Sequence, residues 1–192
     1  MSETPVLRIY FGFRSPYARL GLHKVAALTT DIPLTLIPFT GPAGGAAFLD
    51  PTSSPPKLAY YAEDAPRMTR RMGLPFAFPD PFEIGMAAAA NRAFYAAREE
   101  GLGLAFALAA SDARWGEGRD LTDEAVIEEV ARRVGVTGDL RARRREAEAA
   151  DRAQLEADGV FGVPFAVLAR GGQRQRFWGQ DRFDLLPEAL QS

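Results

Sequence analysis

The sequence contains no cysteine and only one histidine, His23, among its 192 residues. Without cysteine the chain forms no disulfide, binds no zinc through thiolates and carries no CxxC pair, so it is not a disulfide oxidoreductase. Any thiol chemistry must therefore use a sulfur that a bound molecule brings. A single histidine also excludes multi-histidine metal sites, and we expect no metal. His23 falls within a predicted helix, where a structural role is favoured over that of a catalytic base.

Long apolar runs and a strong charge of one sign are missing too. No apolar stretch approaches the roughly 20 residues of a transmembrane helix, and residues 1–7 lack the pattern of a signal peptide. The net charge is -2 and the pI about 5.6, so the surface attracts neither nucleic acid nor anionic lipid. Arginine pairs such as Arg132-Arg133 lie beside glutamates, which is typical of a solvated helix face. We therefore expect a cytoplasmic protein that binds neither nucleic acid nor membranes.

The first 40 residues carry a β-α-β pattern. Residues 6–11 place apolar side chains on one face and predict a strand. Ser15-Pro16 then predicts a helix start, because serine caps helices well and proline is favoured at the first helical position. Residues 34–39 predict a second strand, which completes the unit.

The middle of the chain is predicted to be helical from the spacing of its apolar residues. Helices are predicted over residues 55–72, 84–100, 102–115 and 139–158, and a further one begins at Thr122, its predicted cap. Within the predicted helix of residues 139–158, Arg144 and Glu148 are four positions apart, the spacing of an ion pair on one helix face.

The end of the chain returns to a β pattern. Residues 163–169 and 175–178 flank a Gly-Gly turn and predict a hairpin, which a last helix follows. The whole pattern predicts an α/β protein with a thioredoxin-like fold. We expect residues 1–50 and 155–192 to form the thioredoxin-like domain, and residues 51–154 to form an all-helical domain inserted in its middle.

Ser15 is the first candidate site residue. It lies where a strand ends and a helix begins, and a helix N-terminus carries partial positive charge and free N–H groups that stabilise a thiolate. A serine hydroxyl there can donate a hydrogen bond to such a thiolate without redox chemistry. The alternative is that Ser15 only caps the helix, which is the commoner role of a serine at such a position.

Val163-Pro164 forms a second candidate. A cis proline before a strand would turn the N–H and C=O of the preceding residue outward, where they could pair with the backbone of a bound γ-glutamyl tripeptide. The alternative is a trans proline that opens an edge strand.

A third candidate lies in the segment Trp178 to Arg182. Asp181 could hold an α-amino group, with Gln180 adding a neutral hydrogen bond, or it could cap the last helix. Arg182 could pair with a ligand carboxylate or with Asp184.

These three stretches together resemble the family of 2-hydroxychromene-2-carboxylate isomerases and kappa-class glutathione transferases, within the DsbA-like group of thioredoxin folds. The resemblance spans nearly the whole chain, and its most specific motifs lie at the two ends. The matching residues are Tyr10–Tyr17 at the front and Gly159–Phe165 and Phe177–Asp184 at the back, with weaker matches at Lys57–Tyr61, Gly73–Pro75 and Trp115–Leu121.

The resemblance implies a thiol cofactor, glutathione or another low-molecular-weight thiol. By the family pattern, Ser15 contacts its sulfur, and Val163 before the cis Pro164 binds its cysteinyl backbone. Gln180, Asp181 and Arg182 hold its γ-glutamyl end, and Lys57 lines the same site.

The resemblance also implies an activity. The expected enzyme is a glutathione-dependent isomerase of the 2-hydroxychromene-2-carboxylate type, in which a bound thiolate adds reversibly to an aromatic enone-like substrate. One alternative is a kappa-like transferase that conjugates glutathione to an electrophile. Another is a non-catalytic thiol- or peptide-binding module. The expected partners are a small aromatic or electrophilic molecule and a second copy of the chain in a homodimer.

Overall fold

A computed structural model describes residues 4–45, 54–85 and 87–191. Within these ranges, strands lie near both ends of the chain and helices fill the middle, as the sequence pattern predicts. The elements are β1 (Val6–Phe11), α1 (Pro16–Ala26), β2 (Leu34–Pro38), a 3-10 turn (Ala43–Gly45), α2 (Pro55–Arg71), α3 (Ala88–Glu99), α4 (Gly103–Trp115), α5 (Glu124–Val134), α6 (Arg145–Asp158), β3 (Phe165–Arg170), β4 (Gln173–Trp178), a second 3-10 turn (Arg182–Leu185) and α7 (Leu186–Gln191). No helix among the described residues is long and apolar enough to cross a membrane.

The four strands form one sheet in the order β2-β1-β3-β4. β1 runs parallel to β2 and antiparallel to β3, and β4 pairs antiparallel with β3. Ile9 of β1 stands opposite Leu36 on one side and Ala166 on the other. The first and last parts of the chain are thus neighbours at the centre of the sheet. This arrangement confirms the predicted thioredoxin-like α/β fold.

Each face of the sheet is covered by its own core. The face with Leu7, Ile9 and Phe11 packs against α1 and α7, and this core continues into the helices of the middle of the chain, which contribute Phe94 and Phe106. The opposite face packs against α6. This second core consists of Tyr10, Ile37, Phe39, Leu155, Val160, Phe165 and Val167.

The position of α6 bears on the predicted domain division. The boundary predicted between residues 154 and 155 falls inside α6, although Leu155 and the helix that carries it pack on the sheet. The division into two domains remains a prediction.

The predicted start of α6 at Asp139 is wrong, because the helix begins at Arg145. The Asp139 carboxylate accepts the backbone N–H groups of Arg141 and Ala142, which holds that segment in a turn. The predicted pair of Arg144 with Glu148 is also absent, since Arg144 bonds Glu99 instead.

Two other predicted helix starts need correction. Asp123 rather than Thr122 caps α5, with its carboxylate accepting the N–H of Ala125 at 2.8 Å. The Thr122 hydroxyl is held by Asp120 instead. α3 begins at Ala88 and not at Ile84, and the preceding Ala87 has a left-handed φ of 51° that no continuous helix allows.

Candidate functional site

Ser15 caps α1 in a way that leaves its hydroxyl hydrogen available. Its side-chain oxygen accepts the N–H of Ala18 at 3.1 Å, and Pro16 occupies the first helical position. Because the oxygen is the acceptor in this bond, the O–H can still donate to a ligand. The capping role and the proposed contact with a sulfur are therefore compatible.

Val163 lies directly beside the start of this helix. Ser15 donates its N–H to the carbonyl of Gly12 at 3.0 Å, and a methyl of Val163 would lie 3.5 Å from a Cβ placed on Gly12. The Val163-Pro164 bond is cis. Among the described residues, no group hydrogen-bonds the N–H or C=O of Val163. These two backbone groups are thus available next to Ser15.

Pro164 is fixed between α1 and the end of the hairpin. Its carbonyl accepts the N–H of Gly179 at 3.0 Å. On its other side, a Cβ added to Gly21 of α1 would stand only 3.0 Å from the Pro164 ring and 3.1 Å from the ring of Phe183. Glycine at position 21 therefore lets the helix approach the proline closely.

The segment Gln180 to Arg182 continues from Gly179. Gln180 is only 6% exposed, and its side-chain oxygen has no hydrogen-bond partner within the described part of the chain. Lys24 of α1 donates to the Gln180 carbonyl at 2.8 Å and pairs with Asp184 at 2.7 Å. A buried acceptor without a donor is uncommon, so the Gln180 oxygen fits the role of a ligand-binding group.

Asp181 and Arg182 are both exposed and pair with each other at 2.5 Å. Two of the structural alternatives for them are wrong. The Asp181 carboxylate caps no helix, and Asp184 pairs with Lys24 rather than with Arg182. Their predicted role in holding the γ-glutamyl end stays a prediction.

Lys57 lies exposed in the first turn of α2, away from the contacts described so far. Its helix nevertheless reaches the start of α1. The Tyr17 hydroxyl donates to Asp64 at 2.7 Å, and the ring of Tyr17 packs edge-on against that of Tyr61. Burial and the bond to Asp64 raise the pKa of Tyr17, so its phenol stays protonated over the physiological range. Lys57 precedes Tyr61 by four residues and so occupies the same face of α2.

A segment before α3, residues 80–83, passes close to Ser15, and we call it the strap. Arg114 at the end of α4 donates to the carbonyls of Pro81 and Phe82. Glu83 accepts a bond from Arg14 at 2.8 Å. The strap is therefore tied both to α4 and to the residue immediately before Ser15.

Aromatic rings line the space between the strap and α2. The indole of Trp115 donates to the carbonyl of Phe13 at 2.9 Å, which ties α4 to the loop that carries Ser15. Around Trp115 lie the rings of Tyr61, Phe76 and Phe82, at centroid distances of 6.1–6.4 Å. Trp115 is buried, whereas Tyr61, Phe76 and Phe82 are partly exposed, so these three rings are the ones on which an aromatic molecule could stack.

A partly buried ionic cluster, in which Arg19 is buried and Asp112 and His23 keep some exposure, links α1 to α4. Asp112 accepts from Arg19 at 2.6 Å and from His23 at 2.8 Å on the same oxygen. Burial works against ionisation of Asp112, but these two bonds outweigh it and lower its pKa. His23 is thus a structural residue, as expected.

The site combines a serine donor at a helix N-terminus, two unpaired backbone groups, a buried amide oxygen and aromatic walls. Within the described part of the chain, no group of three or more acidic or histidine side chains could hold a metal. Such an arrangement suits a small thiol peptide and an aromatic second substrate. The contacts of Lys24 and Arg114 could not be predicted from the sequence, because each is made with a partner that lies far away in the chain.

Comparisons with known proteins agree with this fold. One similar solved structure is a 2-hydroxychromene-2-carboxylate isomerase, with 24% identity, a TM-score of 0.72, and coverage of 97% of this chain and 94% of that one. Another is the cytosolic disulfide reductase DsbM from Pseudomonas aeruginosa, with 20% identity, a TM-score of 0.68, and coverage of 96% and 94%. A structure of DsbM with GSH has a TM-score of 0.64 at 20% identity and covers 97% of this chain and 100% of that one.

At these identities the likeness concerns the fold. No curated protein matches the sequence. The model of the DSBA-like thioredoxin domain matches residues 6–191, which is nearly the entire chain. With its sheet order and the Ser15 and Val163-Pro164 loops in place, the chain belongs to the DSBA-like thioredoxin domain family.

Proposed function

We propose that the protein is a glutathione-dependent isomerase of the 2-hydroxychromene-2-carboxylate type. One observation carries the proposal. Ser15, with a hydroxyl hydrogen to donate, and Val163, with an unpaired N–H and C=O, both adjoin Gly12. The chain's lack of cysteine means that a serine stands where a dithiol enzyme needs its own sulfur. A bound thiol is then required for any thiol chemistry.

The residues present fit glutathione. The Val163 N–H and C=O would pair with its cysteinyl backbone in the manner of an added strand. The buried oxygen of Gln180 and the exposed carboxylate of Asp181 would accept from its α-ammonium group. When bound, glutathione supplies a thiolate that adds to the conjugated carbon of a substrate and is later eliminated.

The chain's own contribution to the reaction is electrostatic. The N-terminus of α1 favours negative charge, and the Ser15 O–H donates to it. The half-buried position of Ser15 strengthens both effects by excluding part of the solvent. Tyr17, two residues further on, donates its O–H to Asp64 and stays neutral, so it adds no negative charge near the thiolate.

The proposal is tested by titrating the thiol of bound glutathione through its thiolate absorbance. Loss of a hydrogen bond to a charged group costs about 1.5–3 kcal/mol, so Ser15→Ala should raise the pKa of the bound thiol by about 1–2 units. Turnover of an aromatic enone should fall with it. An unchanged thiol pKa in this variant would refute the role of Ser15.

Binding itself is measured by calorimetry with glutathione. Asp181→Ala should weaken binding, whereas Asp31→Ala should not, because Asp31 lies in an exposed turn before β2 at the opposite end of the sheet. No saturable binding at millimolar glutathione would refute the proposal for this thiol.

Product analysis distinguishes the two enzyme classes. An isomerase returns the free thiol after each turnover, whereas a kappa-like transferase consumes it in a conjugate. A protein that binds glutathione and yet turns over neither kind of substrate would be the non-catalytic binding module.

A further inference from the structure

The strap places an internal carboxylate at the edge of the proposed site. Glu83 bonds Arg14 at 2.8 Å, although the two residues are 69 positions apart. Arg14 immediately precedes Ser15 in the chain, in the loop that leads into α1. The Glu83 side chain is 51% exposed and that of Arg14 is 23% exposed. A carboxylate from the strap therefore pairs with the cationic residue adjacent to Ser15, where solvent reaches both side chains.

The strap does not depend on this ion pair for its position. Arg114, which is fully buried, donates to the carbonyls of Pro81 and Phe82. The backbone N–H of Asp80 donates to the Gly118 carbonyl at 3.3 Å. These bonds hold the strap backbone, so the exposed Glu83 side chain can turn away while the strap stays in place.

Arg114 fits the role of an anchor rather than that of a ligand-binding group. Both of its terminal nitrogens are used by the strap carbonyls, and its guanidinium lies 5.2 Å from the ring centroid of Trp115. Its burial lowers its pKa to about 10, which still leaves it charged at neutral pH. Replacing Glu83 on Arg14 by another anion would leave this anchor untouched.

An exposed ion pair is weak, because water screens it and two flexible side chains must be ordered to form it. A carboxylate that belongs to a bound aromatic molecule is already ordered by stacking. Such a carboxylate would compete well with Glu83 for the planar guanidinium group of Arg14, which can bind a carboxylate through two N–H groups. The strap itself carries the partly exposed ring of Phe82, which packs edge-on against the buried Trp115 and on which the apolar part of the molecule would stack.

We propose that Arg14 recognises a negatively charged group of the electrophile, and that Glu83 occupies Arg14 until that group displaces it. This inference deepens the proposed function and rests on it. Arg14 is thereby a specificity-determining residue, which favours anionic over neutral electrophiles. Glu83 competes with the incoming anion for Arg14.

The test uses cinnamate, an aromatic carboxylate without the reactive ketone, and cinnamyl alcohol as its neutral analogue. Their binding to the full chain is followed by NMR titration in the absence of glutathione. Glu83→Gln removes the competing charge and should tighten cinnamate binding about threefold to fivefold, the range of an exposed ion pair. Arg14→Gln should weaken it, and Arg14→Lys should restore part of it.

Glu146→Gln is the matched control for the loss of one negative charge, because Glu146 is an exposed residue in the first turn of α6. It should leave the affinity for cinnamate within about twofold of that of the wild type. Cinnamyl alcohol should bind all variants alike. If Glu83→Gln lowers thermal stability without changing cinnamate binding, or changes acid and alcohol equally, Glu83 is only a structural tie and the inference is overturned.

Failure of the proposed function gives a different pattern. Glutathione binding that depends on Ser15, combined with cinnamate binding that ignores Glu83, overturns this inference alone. No glutathione binding, combined with cinnamate binding that depends on Glu83, refutes the proposed function and supports the anion subsite at Arg14.

Discussion

Asp158→Asn tests a second cluster, formed by Asp158 with Arg8 and Tyr10 at the end of α6, just before the loop that leads to Pro164. The Asp158 side chain is fully buried at the end of α6. It accepts two hydrogen bonds from Arg8, at 2.6 and 3.0 Å, and one from the Tyr10 hydroxyl at 2.6 Å. Asparagine keeps the size of the side chain but removes its charge, which leaves the guanidinium of Arg8 without a counter-ion.

The expected loss follows from the burial of this pair. Breaking a buried ion pair by removing one partner costs about 3–5 kcal/mol. The side chain of Arg8 keeps 12% exposure, so we expect the lower end, about 3 kcal/mol. For a chain of this size that corresponds to a melting temperature lower by about 6–12 °C.

The effect should depend on pH in a defined direction. Burial alone would raise the pKa of Asp158, but the bonds from Arg8 and Tyr10 outweigh it and lower the pKa. A carboxyl group with a lowered pKa stabilises the fold above its unfolded pKa, about 4, and loses this contribution as the pH falls through its folded pKa. The gap between wild type and variant should therefore be widest at neutral pH and close in acid.

The assay is urea unfolding followed by circular dichroism at several pH values. Asp181→Asn is the matched control, because the Asp181 carboxylate is exposed and its one ion pair among the described residues is with Arg182. This variant should change stability by less than about 0.5 kcal/mol. A loss below about 1 kcal/mol for Asp158→Asn, or a gap that does not narrow in acid, would refute the reasoning.

Two further predictions concern packing and capping. Gly21→Ala should destabilise the fold by about 1–2 kcal/mol, because the new methyl would press on Pro164 at 3.0 Å. Gly12→Ala, whose nearest contact would be at 3.5 Å, should be nearly neutral. Equal urea midpoints for the two variants would contradict this prediction. Asp123→Ala should lower the free energy of unfolding by about 1 kcal/mol, because it removes the α5 cap. Thr122→Ala should lower it less. The reverse order in thermal melts would show that the cap is assigned to the wrong residue.

The two ends of the fold could be predicted because their signals are local. The serine cap before Pro16 and the apolar alternation of residues 6–11 need no distant partner to be recognised. Ser15 does cap α1 as the sequence suggests. The resemblance that carried the site assignment rests on the same segments.

Helix starts in the middle of the chain were harder to predict, because side chains compete there with the backbone. The carboxylate of Asp139 captures two N–H groups, and that of Asp120 captures the Thr122 hydroxyl. The spacing of apolar residues along the chain does not predict these hydrogen bonds. The same holds for Arg14 and Glu83, whose pairing depends on a tertiary contact.

The central pairing of β1 with β3 joins residues that lie 155 to 163 positions apart in the chain, from Tyr10 with Phe165 to Val6 with Ala169. Ser15 follows β1 and Val163 precedes β3, so the two residues come together only when these two strands pair. The residues that cap α1 are synthesised long before Val163. Binding of a thiol at this site would thus report completed folding, and a truncated chain that ends before β3 should show no such binding.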